Sequence, residues 1–170
     1  HVIDFKAMAA ANKPVAIRTG PQSTLPITVD GKRGESVRAY GTVAASVGDF
    51  LSLSGTLAFE QYRKTVTLTG GDTVDARLMV ITGADISARL ATSTDADAIG
   101  VEMKNLDFGL VLAQASAAND PRSWLSVKGQ AESVAILGTQ SLGVTLSGSN
   151  VMFAANIGMG TLADGKTNRT

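Results

Sequence analysis

From Val37 to Val47 the apolar and small residues Val37, Ala39, Gly41, Val43, Ala45 and Val47 alternate with Arg38, Tyr40, Thr42 and Ser46. That period of two predicts a strand with one face buried. Leu51, Leu53, Leu57 and Phe59 continue the alternation after Gly48-Asp49, and Val66 with Leu68 forms a shorter piece before a turn at Thr69-Gly70-Gly71-Asp72. The clearest segment follows, with Val74, Ala76, Leu78, Val80, Ala84, Ile86, Ala88 and Leu90 on one side and Asp75, Arg77, Asp85, Ser87 and Arg89 on the other. One wet face is the mark of antiparallel pairing, because parallel sheets are covered on both sides. A strand of that length reaches roughly 50 Å when extended, so a bend is expected at Gly83-Ala84-Asp85.

Comparable segments occupy Ile99 to Ala115, Ser123 to Leu137 and Leu142 to Ile157, separated by Ser93-Thr94-Asp95, Ala118-Asn119-Asp120-Pro121 and Gly138-Thr139-Gln140. Two of them change phase midway. Ile99, Val101 and Met103 are odd while Leu106, Phe108, Leu110 and Leu112 are even, and Leu142, Val144 and Leu146 give way to Val151, Phe153 and Ala155. One extra residue per strand explains both, with bulges near Asn105 and near Gly148-Ser149-Asn150. The pieces Ile81 to Ile86, Met103 to Phe108 and Leu146 to Val151 are loosely alike, each with an apolar residue, a Gly or Asn kink, an Asp or Asn and a second apolar start. Their spacing is not the fixed period of a solenoid. The Ala-rich stretch from Ile3 to Asn12 favours helix, and Pro14, Pro21 and Pro26 are expected to prevent regular structure after it. The expected organisation is therefore a helical turn plus linker over 1–36, an antiparallel β domain over 37–160 and a polar tail over 161–170. The fold class is all-β, with long bent antiparallel strands in a curved sheet, sandwich or barrel.

Gly41-Thr42-Val43, Phe50-Leu51-Ser52-Leu53-Ser54-Gly55 with Ala58-Phe59-Glu60, and Asp97-Ala98-Ile99-Gly100-Val101 with Leu106-Asp107-Phe108-Gly109-Leu110-Val111-Leu112 follow one another in an order that resembles a β-rich repeat unit of very large bacterial surface or secreted proteins. The resemblance spans about residues 40–157. It implies an array of such units working outside the cell, at the surface or secreted, often beside calcium-binding modules. Units of that kind often carry a longer Asp-rich insertion before the Ala-Ile-Gly strand, where this chain has only Ser93 to Asp97.

Composition narrows the chemistry. At 170 residues and 17.5 kDa the chain supports one domain, and its 15 Lys+Arg balance 15 Asp+Glu, which gives nucleic acid or an anionic membrane no bulk charge to bind. With Cys 0 and a single histidine at His1, thiolate metal sites, cysteine nucleophiles and most imidazole catalysis are excluded. No stretch approaches the roughly 18 apolar residues of a membrane-spanning helix. The absence of an initiator methionine reads as an excerpt from a longer protein, and the lack of cysteine fits a bacterial exported one.

The residues with chemical potential are few. Asp95 and Asp97 alternate in a turn and are the metal candidates, but a hard cation takes six to eight oxygens and these supply two. No resident cofactor is expected, and calcium is the one ion the sequence raises. Gly70-Gly71-Asp72-Thr73-Val74-Asp75 begins like a calcium nonapeptide, yet a lone copy lacks the next turn's ligands, so a hairpin loop is expected. Asp75 and Asp85 share a polar face about 33 Å apart if extended, too far for paired carboxylate catalysis. Asp107, beside the expected bulge, reads as a structural cap of the kink. Ser52, Ser54 and Thr56 form a hydroxyl stripe with no histidine to activate it, Asn119-Asp120-Pro121 reads as a turn, and Trp124 as a core or sheet-edge anchor rather than a sugar platform. The expectation is a noncatalytic structural or adhesive module of a larger exported protein, extracellular or at the cell surface. Its partners would be neighbouring domains or copies, with self-association through sheet edges. The alternatives are an outer-membrane β-barrel fragment and a carbohydrate- or lipid-binding sheet.

Overall fold

The computed structural model describes residues 1–95, 97–139, 144–161 and 168. The chain opens with helix α1 (Phe5–Ala10), whose first turn is capped by the Asp4 carboxylate accepting from the Ala7 N–H at 2.9 Å. Strands β1 (Val15–Arg18) and β2 (Thr24–Ile27) then pair as an antiparallel hairpin, so the expectation of irregular structure after Pro14 is corrected. Pro26 lies opposite Ala16 within that hairpin. A two-stranded ribbon leaves one side of each strand unpaired, which is where a residue without an N–H costs no ladder bond. After a short 3-10 turn at Gly31–Arg33, the Arg33 guanidinium reaches Glu60 at 2.6 Å and ties this leading segment to the main sheet.

The main sheet is a six-stranded antiparallel meander, β3 (Ser36–Val47), β4 (Leu51–Thr67), β5 (Thr73–Ala91), β6 (Gly100–Ala115), β7 (Ser123–Leu137) and β8 (Leu146–Met159), in sequence order across the sheet. Antiparallel, all-β architecture is thus as the alternation indicates. The pieces around Leu57 and Val66 prove to be one strand, β4, continuous through Gln61-Tyr62-Arg63-Lys64. β3 and β8 are opposite edges and do not pair with each other, so the sheet is open. Of the expected last segment, Leu142 lies outside the described residues, as does most of the tail over 161–170.

A line of backbone irregularity crosses the sheet. In β4 it is Gly55, which stands between the pairs Ser54↔Ser87 and Thr56↔Ala84, so β5 carries one residue more than β4 there. Asp85 takes the left-handed conformation at φ 54°, and Asn105 in β6 and Asn150 in β8 do the same at 49° and 52°. These are residue types whose short polar side chains tolerate that region. Glu132 of β7 stands at the register position of both Asn105 and Asn150, where pairing skips from Lys104↔Ser133 to Leu106↔Ala131 and from Ser133↔Ser149 to Ala131↔Val151 without a change of register. The expected extra residues at Asn105 and near Asn150 are therefore present, but β5 to β8 carry the irregularity together, and the net slip appears only between β4 and β5. Gly55 makes the slip feasible, since a Cβ there would stand 2.9 Å from the Asp85 carbonyl oxygen and the Ile86 Cα.

The extra residue also moves side chains between faces. Val74, Ala76 and Leu78 are buried, and Val74 clusters with Ala115 and Trp124 against Val66, Leu68 and Ala113. Beyond the slip, Ile86 clusters with Leu106, Ala131, Leu53, Leu57, Phe108 and Val134 on the opposite face. The expected single stripe from Val74 to Leu90 is corrected accordingly: it changes face at Asp85, while Arg77 and Asp85 are exposed as anticipated and Val80 is half-buried.

Next to the irregularity runs a second transverse feature, the in-register row Gly41, Leu57, Gly83, Phe108, Gly129, Phe153. Small and bulky residues alternate strand by strand. The Phe108 ring lies against Gly83 and the Phe153 ring against Gly129, which fills the space over each glycine with apolar surface. At Gly83 an added methyl would stand 2.7 Å from Phe108 Cδ1 and 2.9 Å from Ile86 Cγ1, whereas at Gly109 it would meet nothing within 4 Å. Gly83→Ala is expected to destabilise by about 1–3 kcal/mol through overpacking, and Gly109→Ala to leave stability unchanged or raise it by up to about 1 kcal/mol. Urea denaturation of the two variants checks this, and equal effects would contradict the row.

Candidate functional site

The polar side chains that could do chemistry gather along the transverse irregularity, at Asp85, Asn105, Asp107, Glu132 and Asn150. β5, β7 and β8 contribute one each and β6 two. The Asp107 carboxylate accepts the Asp85 backbone N–H at 3.0 Å, and Asn105 Nδ2 donates to Glu132 Oε2 across to β7. The first contact satisfies a backbone donor that the left-handed residue removes from the ladder. Asp107 therefore caps the kink, as the sequence indicates. These contacts give Asp107 a role in holding the backbone at Asp85 and tie Glu132 to Asn105 across β6 and β7.

Asp95 and Asp97 lie in the turn between β5 and β6, where Asp97 is exposed. The Asp95 carboxylate accepts from the Ser93 hydroxyl at 3.1 Å, Ser93 Oγ accepts the Asp95 N–H at 3.2 Å, and the Thr92 hydroxyl accepts the Ile99 N–H at 3.1 Å. The turn is closed by its own side chains. Among the described residues no three His, Cys, Asp or Glu side chains converge as a metal site.

Asp75 and Asp85 are not brought together. Asp75 accepts from the Thr65 hydroxyl at 2.5 Å across β4 and β5, while Asp85 sits at the slip. Gly70 and Gly71 form the β4–β5 hairpin loop, closed by the Leu68 N–H to the Asp72 carbonyl at 2.8 Å and the Gly71 N–H to the Leu68 carbonyl at 2.9 Å. Ser52, Ser54 and Thr56 are exposed on β4.

At the same end of the sheet as the β4–β5 loop, Asp120, Arg122 and Trp124 form one cluster. Arg122 grips the Asp120 carboxylate at two points, 2.8 Å from Nε and 2.6 Å from Nη2, while its own N–H donates to the same carboxylate at 3.1 Å. Its guanidinium carbon lies 5.9 Å from the centre of the Trp124 ring. Side-chain hydrogen bonds from Arg122 hold the Asp120 carboxyl below the usual carboxylate range. The Asn119-Asp120-Pro121 stretch is thus a fixed turn, and Trp124, 7% exposed, is a core anchor with no face open for sugar stacking. Its indole Nε1 has no hydrogen-bond partner among the described residues. Sequence reasoning missed this cluster, although Asp and Arg flanking a proline two residues before a lone Trp is a readable signal.

No family model, curated protein or solved structure matches the chain.

Calcium against chelator is expected to shift the melting temperature by no more than about 1 °C, because two carboxylates without further ligands bind the folded state weakly. A larger rise, lost in Asp95→Ala/Asp97→Ala, would contradict this reading of the turn. For Asp120 the sign runs toward acid instability: a depressed folded-state pKa contributes stability above the ordinary carboxylate range, lost as pH falls through the folded value. Asp120→Asn should therefore lower stability at neutral pH and flatten its decline on acidification, as measured by denaturation at successive pH values. An unchanged acid limb would show that the pair contributes nothing.

Proposed function

We propose that the chain is a noncatalytic structural or adhesive module of a larger exported bacterial protein. The observation that carries this reading is the state of the main sheet. It is open, neither edge strand has an outer paired strand among the described residues, Asn168 alone bonding the end of β8 at the Met159 carbonyl, and apolar side chains stand exposed along those edges, including Val37, Val47, Val151, Phe153 and Ile157. Surfaces of that kind are made for covering by other protein, because long bare strands template pairing and uncovered apolar area favours association. At the kink the Asp107 carboxylate is engaged with the Asp85 N–H and Glu132 with Asn105. The closed-barrel alternative requires the two edges to meet, and they lie five strands apart in the sheet order.

Function then resides in length, stiffness and edges. Strands of 12 to 19 residues make a long plate, and a row of them adds reach without needing a catalytic centre.

The discriminating experiment is Asp107→Asn, assayed for stability and for turnover on ester, peptide and glycoside substrates. A loss of about 1–3 kcal/mol with no turnover in either protein is expected, since only the bond to the Asp85 N–H is weakened. Turnover in the parent chain that disappears in a folded Asp107→Asn variant would overturn the proposal. Protease shaving of intact cells tests the exported location, with cleavage of the module before lysis as the expected result and protection until lysis as the contrary one.

A further inference from the structure

We infer that the chain associates head to tail with a second copy of itself, β3 of one copy pairing antiparallel with β8 of the next in the register that sets Gly41 opposite Phe153. This rests on the structural-module reading and specifies its interface. The first support is direction. In a meander of six strands the two edges run in opposite senses, so β3 added beside β8 continues the antiparallel alternation.

The second support is the transverse row. Glycine occupies its position in β3, β5 and β7, while Leu57, Phe108 and Phe153 occupy it in β4, β6 and β8. A strand laid outside β8 in the same pattern should bring glycine opposite Phe153, and β3 brings Gly41. A Cβ at Gly41 would meet nothing within 4 Å, so the position is open to a neighbour.

Third, that single alignment makes the remaining positions agree. Counting outward from Gly41 opposite Phe153 sets Ala39 against Ala155 and Val37 against Ile157, and in the other direction Val43 against Val151. One unpaired residue at Asn150, the mirror of the slip at Gly55, then sets Ala45 against Gly148 and Val47 against Leu146. Every pair on this face is apolar or small, which is what fixes register in a sheet. All twelve residues of β3 find partners within the fourteen of β8.

Fourth, apart from the kink at Asn150, which the inferred register accommodates, the edges carry little that keeps strands apart. β8, Leu146–Met159, contains no charged residue and no proline, and β3 contains only Arg38. Monomeric sheets blunt their edges with lysine, proline or bulges, and long uncharged edges pair.

The absence of cysteine permits a clean test. The inferred register places Tyr40 opposite Ala154; Tyr40 is 80% exposed and Ala154 is also exposed. Mixing Tyr40→Cys with Ala154→Cys under mild oxidation should give a mixed disulfide at least about tenfold faster than mixing Tyr40→Cys with Met152→Cys, because a two-residue slip lengthens the span from about 5 Å to about 8 Å, beyond the roughly 7 Å that a disulfide bridges. A charge test complements it, since Asn156 would face Arg38 of the next copy. Asn156→Glu should tighten association and Asn156→Arg weaken it, each by about 1.5- to fivefold in dissociation constant read from sedimentation or light scattering. A fold defect would move both the same way. Equal disulfide rates in the two mixtures, equal shifts for the two charge variants, or a single-copy mass up to millimolar concentration would overturn the inference. None of these outcomes bears on whether Asp107→Asn alters turnover, so the interface and the noncatalytic reading fail separately.

Discussion

The slip between β4 and β5 governs the rest of the main sheet. One residue more in β5, taken up where Gly55 faces Asp85 and Ile86, forces every later strand either to lose register or to carry the same irregularity. The chain takes the second course. Asn105 and Asn150 adopt the left-handed backbone, β7 passes the same line at Glu132, and the register from β6 to β8 is the same on both sides of that line. Because strand side chains alternate with a period of two, an unmatched residue would have turned each apolar set to the wrong face. Sharing the irregularity keeps Leu53, Leu57, Ile86, Leu106, Phe108, Ala131 and Val134 in one cluster.

That constraint also accounts for the use of the polar residues. A left-handed residue in a strand displaces a backbone donor, and the Asp107 carboxylate takes up the one at Asp85. Asn105 and Glu132 bind each other where two strands bend together. Net hydrogen bonds of this kind contribute about 0.5–1.5 kcal/mol, rising to about 3 with a charged partner, which is enough to favour one backbone arrangement over a straight ladder. The row of glycines and rings beside the kink completes the arrangement, since Phe108 and Phe153 can lie across the sheet only where the facing residue has no side chain.

Much of this is legible in the sequence because strand alternation is a local signal. The boundaries Thr73–Ala91, Gly100–Ala115 and Ser123–Leu137 lie within a residue of where the alternation starts and stops, and the phase changes near Asn105 and Asn150 mark the kink. The continuity of β4 through Gln61-Tyr62-Arg63-Lys64 escapes the same reading, since a sheet open on both faces lets polar residues occupy positions that a covered sheet would fill with apolar ones. The face change at Asp85 is hidden for a related reason: Leu78 and Ile86 keep the same parity in number while the extra residue reverses their sides. The β1–β2 hairpin is hidden because prolines argue against strands only where both sides must pair. For Asp95, Asp97 and Asp107, residue type marks them as polar, but only geometry shows that Ser93 and the Asp85 N–H engage Asp95 and Asp107.

The shared kink and the row beside it are tested most directly by nuclear magnetic resonance of the backbone and rings. Left-handed coupling constants at Asp85, Asn105 and Asn150, together with cross-strand contacts linking Gly83 to the Phe108 ring and Gly129 to the Phe153 ring, are the predicted result. Extended backbone at those three residues, or Phe108 and Phe153 contacting residues two positions away from Gly83 and Gly129, would contradict it.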